Sequence, residues 1–172
     1  MISHPKNYPS HFPKSKKEES EFGPGKKDIL ICRHCNAVYW YKSWHHKLED
    51  YPELKEGKDV RFSICPACAM IKDKRFEGEI ILENVPKKIK EEIKKLAKNF
   101  GKRAFERDPM DRIISIEDTT EENVRILTTE NQLAQRLSEK IKETFSPSSK
   151  LSISHSNKDR ILRTKIVFEK KA

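Results

Sequence analysis

Two Cys-x-x-Cys pairs, Cys32/Cys35 and Cys65/Cys68, hold every cysteine of this 172-residue chain. The pairing constrains the fold more than any other feature, because it ties two distant segments to one point. Thiolates two residues apart on a tight turn both reach a tetrahedral zinc ion at about 2.3 Å. The turns read Cys32-Arg33-His34-Cys35 and Cys65-Pro66-Ala67-Cys68, with residues 36–64 between them. That separation exceeds the roughly 15–20 residues of a compact ribbon and implies a longer β-loop between the turns. Four protein ligands leave no open coordination position, so the expected site is one structural Zn(II).

Other uses of the cysteines fit less well. Paired disulfides need an oxidising compartment, yet Met1 is followed by polar, basic, proline-rich sequence rather than the apolar core of a signal peptide. A thioredoxin-like redox pair lacks its surrounding βαβ pattern. A redox switch in which oxidant ejects zinc stays open. His34, His45 and His46 are alternative ligands, but four cysteines at ligand spacing leave them as supporting or surface residues.

A chain with 37% charged and 35% hydrophobic residues can build only an economical core. Bound metal is one remedy, since metal-binding energy becomes folding energy. The net charge of +9 favours an anionic partner, most commonly nucleic acid. No apolar run approaches the ~20 residues of a membrane span. A soluble, cytoplasmic protein without a membrane partner is therefore expected. The position of the charge is more telling than its total. Residues 29–85 carry nine basic and nine acidic groups, whereas residues 86–110 carry nine basic against four acidic.

Pro5, Pro9, Pro13 and Pro24 lie among polar residues and predict a disordered basic arm over 1–27. A zinc ribbon is expected over 28–85. Ile29-Leu30-Ile31 leads into the first turn, Ala37 to Tyr41 returns, and Val60 to Ile64 enters the second. Glu79 to Leu82 reads as the strand that closes it. An amphipathic basic helix follows over 86–109, opened by Pro86 and stopped by Pro109. Ile89, Ile93, Leu96 and Phe100 form its apolar face, and Lys87, Lys94, Lys98 and Lys102 fall almost opposite. Residues 110–170 read as a small ββαββ domain with an antiparallel sheet. Its strands are Arg112 to Glu117, Val124 to Thr128, Leu151 to Ser154 and Ile161 to Phe168. Thr129 and Gln132 suggest a capping box for its helix. The fold class is α+β.

Several of these motifs together resemble a known family. Cys32-x-x-Cys35-Asn36-Ala37-Val38-Tyr39 with Trp44 downstream, Cys65-Pro66-Ala67-Cys68, and Thr128-Thr129-Glu130-Asn131-x-Leu133-Ala134 are similar to short bacterial zinc-ribbon proteins. Those proteins are labelled as affecting ribosome stability and mRNA decay, and are relatives of the Nmd-type export adaptor of the large ribosomal subunit. Ser149-Lys150-Leu151-Ser152-Ile153-Ser154 resembles the adaptor's Ser-Lys-x-Leu-x-Ser stretch, so the likeness spans roughly residues 29–168. The adaptors carry more cysteine pairs and further domains. What the resemblance implies here is a zinc ribbon joined to an α+β domain that docks on ribosomal RNA or protein.

The leading expectation is a non-enzymatic zinc protein that associates with the ribosome or other RNA. Lys94, Lys98 and Lys102 are its candidate phosphate contacts and Trp44 its candidate stacking ring. A protein–protein interaction adaptor and a redox-responsive zinc switch are the alternatives. The chain has no Walker loop, dinucleotide fingerprint, H-E-x-x-H or G-x-S-x-G, which argues against an enzyme.

Overall fold

The computed structural model describes residues 29–40, 42–46, 60–145, 150–155 and 160–169. The arm expected over 1–27 lies outside them. The described residues form two sheets and three helices, an α+β architecture.

The first sheet contains β1 (Ile29–Cys32), β2 (Val38–Trp40), β3 (Ser43–His45) and β4 (Val60–Ser63), in the order β3-β2-β1-β4. β1 pairs antiparallel with β2 and parallel with β4, with Cys32 opposite Ser63. The parallel pairing matters for the cysteines. Both strands end on the same side of the sheet, so both Cys-x-x-Cys turns emerge together. The second turn runs directly into helix α1 (Pro66–Lys72), a helix that the sequence reading did not anticipate.

The second sheet holds β5 (Gly78–Glu83), β6 (Ile113–Asp118), β7 (Val124–Thr128), β8 (Leu151–His155) and β9 (Leu162–Val167), in the order β6-β7-β5-β9-β8. Helix α2 (Lys87–Arg107) connects β5 to β6, and α3 (Asn131–Phe145) connects β7 to β8. With β7 lying between β5 and β6, the β5-α2-β6 unit is a split β-α-β motif. Ile80 and Leu82 of β5, Ile126 of β7 and Ile166 of β9 meet Ile93 and Ala97 of α2 and Leu137 and Ile141 of α3 in one core.

Three expectations are corrected here. Residues 79–82 do not close the ribbon. β5 is the central strand of the second sheet, hydrogen-bonded to β7 on one side and β9 on the other. Its continuous run Ile80-Ile81-Leu82 suits a strand flanked on both edges better than one at the rim of a small ribbon. The ββαββ sheet therefore gains a fifth strand. Nor is that sheet wholly antiparallel, because β5 and β9 are parallel. β9 buries Leu162, Thr164 and Ile166, whereas Ser152, Ile153, Ser154 and His155 of β8 are exposed. The strand with more to bury takes the inner place in the hairpin. Finally, Thr129 does not cap α3. Its hydroxyl accepts from the Arg112 backbone N–H at 2.8 Å and donates to the Met110 carbonyl at 2.6 Å.

α2 forms where the proline signals place it, with Pro86 as its N-cap. The residues it buries are Ile93, Ala97, Gly101 and Ala104, while Ile89, Leu96 and Phe100 flank them. Small residues at these positions let the helix lie close on β6, and Gly101 faces Ile113 directly.

Candidate metal centre and basic helix

Each cysteine pair is held by backbone geometry before any metal is considered. In the first turn the Cys32 N–H donates to the Ala37 carbonyl at 2.8 Å, and the Asn36 N–H donates to the Cys32 carbonyl at 2.9 Å. Asn36 closes that turn with φ 60°, a left-handed conformation that asparagine tolerates better than most residues. In the second turn Cys65 is the N-cap of α1, with Pro66 beside it as the chain enters the helix. The Cys65 N–H donates to Cys32 Sγ at 3.3 Å and the Cys68 N–H donates to Cys65 Sγ at 3.4 Å. The Arg33 N–H donates to the Ser63 carbonyl at 2.9 Å and ties the two turns together.

The result is a cluster in which the sulfurs of Cys32, Cys35, Cys65 and Cys68 all lie within 4.8 Å of one another. Cys35 Sγ and Cys65 Sγ are 3.6 Å apart. An ideal tetrahedron with ligands at about 2.3 Å has edges of roughly 3.8 Å, so the sulfurs are placed to hold one metal ion. A tetrahedral set of four sulfurs is a donor set for zinc or iron rather than for calcium or magnesium. Cys32 and Cys65 are fully buried and Cys35 and Cys68 partly so.

The protonation of the thiols shows what a cation would accomplish. Burial raises the Cys32 thiol, but backbone N–H donors from Cys65, His34 and Cys35 outweigh it and bring it down to about 6. Burial pushes Cys65 up to about 11, with the neighbouring Cys32 and Cys35 sulfurs adding to the rise. Cys68 is raised too, by burial and by Cys65 and Cys35. Without a cation, burial first and the neighbouring sulfurs second favour the protonated form of Cys65 and Cys68. A divalent ion reverses that preference and displaces the remaining protons.

Around the cluster pack Ala37, Ala67, Trp44 and Met110. Trp44 is half-buried there, its ring 5.4 Å from that of Tyr39. It packs against the cysteine cluster and stays partly exposed. Trp40 packs against Ile29 and Val38. Met110 comes from the segment after α2, so the metal module and the second sheet share a contact. A second contact is His46, whose Nε2–H donates to the Phe105 carbonyl. The His46 ring meets the Phe105 ring edge-on at 4.6 Å, and the Arg112 guanidinium lies 4.0 Å from the centre of the Phe105 ring.

The three lysines expected to touch phosphate divide into two groups. Lys94 is committed to protein, at 3.1 Å from Glu91 and 2.6 Å from Asp118. Lys90 reaches Asp118 at 3.0 Å and the carbonyls of Thr120 and Glu121, and Lys87 pairs with Glu121. These lysines fasten α2 to the β6–β7 turn. Lys98 and Lys102 are exposed, as are Lys88, Lys95 and Arg103, and none of the five side chains makes an ion pair among the described residues. Lys88, Lys95 and Lys102 recur every seven residues, the spacing that identifies one helix face. That spacing is a better guide to the exposed face than distance from the large apolar residues, because the buried face is centred on alanine and glycine.

Comparison with protein-family models, with curated proteins and with solved structures finds no match. The fold itself defines the class: a four-cysteine cluster placed to hold one metal ion, joined to a split β-α-β sheet domain. No helix among the described residues is long and apolar enough to cross a membrane.

Proposed function

We propose that this chain is a non-enzymatic zinc protein that associates with ribosomal or other RNA and affects ribosome stability or mRNA turnover. The metal is one structural Zn(II) held by Cys32, Cys35, Cys65 and Cys68. The observation that carries the RNA reading is the exposed face of α2. Between Glu92 and Glu106 there is no acidic residue, and Lys95, Lys98, Lys102 and Arg103 project from that stretch without ion pairs among the described residues. Such a row attracts polyphosphate, and its affinity falls with salt as counterions are released.

The test is co-sedimentation of the metal-loaded protein with ribosomes through density gradients at low and moderate salt, with the bound metal measured in the same fractions. Migration with one subunit, weakened by salt and by Lys98→Glu/Lys102→Glu, supports the reading. Protein left at the top of the gradient at low salt, or a metal other than zinc at one per chain, overturns the corresponding part.

A protein partner is favoured by a different observation. Val60 and Phe62 of β4, an edge strand, and Ile64 just after it are exposed, with Phe62 at 60%. A partner retained after nuclease treatment and lost on Phe62→Ser would support an adaptor.

A further inference from the structure

The exposed face of α2 offers charge but no aromatic ring on which bases could stack. Helix α2 has two aromatic residues, and both are engaged in packing. Phe100 lies against the core of the second sheet, and Phe105 is held between His46 and Arg112. Asn99 is the one amide between Glu92 and Glu106. Recognition of single strands relies on aromatic rings that stack unpaired bases. This helix presents ammonium and guanidinium groups instead.

Those groups are also rigidly spaced. Lys88, Lys95 and Lys102 succeed one another at about 10 Å along the axis, given a rise of 1.5 Å per residue. Lys98 and Arg103 lie beside that line. The helix cannot swing freely, because Lys87, Lys90 and Lys94 bind it to Asp118 and Glu121 and Gly101 seats it on Ile113. A straight, fixed row of cations matches a fixed row of phosphates. A flexible single strand would have to be straightened to meet it.

From this, and resting on the RNA reading above, we infer that α2 binds the phosphate backbone of double-stranded RNA, independently of its sequence, through Lys95, Lys98, Lys102 and Arg103, with Lys88 extending the row. Duplex carries its charge more densely than a single strand, so each contact releases more counterion, about 0.9 against 0.7 per phosphate for B-DNA and single strands. The exposed Phe62 on β4 is the competing feature, since it could stack a base, and the test includes it.

The experiment is fluorescence anisotropy of the zinc-loaded full chain with a labelled RNA hairpin duplex of about 20 base pairs, two scrambled duplexes, and a single strand of equal length. Duplex is expected to bind about tenfold more tightly than single strand, and the scrambled duplexes within about twofold of each other. Lys95→Glu/Lys102→Glu should weaken duplex binding at least about tenfold and flatten the slope of log affinity against log salt by about 2. Lys140→Gln, which removes an exposed cation of α3 rather than of α2, should leave duplex affinity within about twofold. Single strand bound as tightly as duplex, or binding abolished by Phe62→Ala and untouched by the lysine reversals, would overturn the duplex assignment while leaving RNA binding in place. Absence of binding to either RNA would overturn both.

Discussion

The position of α2 depends on a close approach that can be tested by one methyl group. A Cβ at Gly101 would lie 2.6 Å from Cδ1 and 2.9 Å from Cγ1 of Ile113. Two effects then compete in Gly101→Ala. Alanine favours the helix over glycine by about 0.8–1.0 kcal/mol. Overpacking a fitted contact costs about 1–3 kcal/mol. Ile113 is β-branched, so its Cγ1 cannot turn away without an unfavourable χ1, and its backbone is paired with Thr128 across β7. Overpacking should win, giving a net loss of about 1 kcal/mol.

The sign should reverse when Ile113 is truncated. Ile113→Ala alone loses partly buried side-chain volume and should cost about 2 kcal/mol, the low end for such changes. In that background Gly101→Ala meets no obstruction and should add about 1 kcal/mol of stability through helix propensity. The assay is urea denaturation of the metal-loaded protein, followed by far-ultraviolet circular dichroism, for the four members of the cycle. Stabilisation by Gly101→Ala in both backgrounds would show that Ile113 is no barrier. Destabilisation in both would place the obstruction elsewhere.

Other outcomes follow from the metal cluster and the charged groups. Chelation, or Cys65→Ser, should remove the folded signals of residues 29–40 and 60–72 from a nitrogen–proton correlation spectrum and preserve those of β5–β9. The metal module fully buries only Ile29 and Val38 among its described large apolar residues, while the second core has its own set; a spectrum unchanged on verified metal loss would refute this. Glu130 is raised above the ordinary carboxylate range by burial and then by Glu77, Asp111 and Asp108. An acid raised by folding loses stability as pH rises through its folded pKa, so Glu130→Gln should raise Tm at pH 7 and give no gain below about pH 4. An equal shift at both pH values would refute that origin. Asp118 is held low by hydrogen bonds from Lys94 and Lys90. Its stabilisation is present above the ordinary range and lost as pH falls through the depressed value. Asp118→Asn should therefore cost about 1 kcal/mol at pH 7 in low salt and less at acid pH or high salt, measured by Tm against pH and salt.

The four-cysteine cluster was legible in the sequence because ligand spacing is local. Two residues between sulfurs and a turn to hold them are a property of four consecutive positions, whatever the rest of the chain does. The fate of residues 79–82 was not legible for the opposite reason. Ile80-Ile81-Leu82 specifies a strand, but its partners are β7 and β9, and β9 lies more than 80 residues downstream. Nothing near β5 distinguishes the last strand of one sheet from the middle strand of the next. The α1 helix was hidden by the same turn that revealed the ligands. Cys65 belongs to the Cys-x-x-Cys turn and is also the N-cap, so the motif for metal occupied the position where a helix signal would be read.

The lysines of α2 show how far composition can mislead even when its sign is right. A local excess of basic residues in 86–110 located the cationic helix, but charge counting treats Lys94 and Lys95 as equivalent neighbours. In the fold they point about 100° apart, one into Asp118 and the other into solvent. What decides between them is a hairpin turn some twenty residues away, which supplies Asp118 and Glu121 to one side of the helix. The acidic turn does more than consume charge. By taking Lys87, Lys90 and Lys94 it also ties the helix to the β6–β7 turn, and it leaves Lys95, Lys98 and Lys102 on the open face. Paired and exposed lysines share the same element, and only their partners tell them apart.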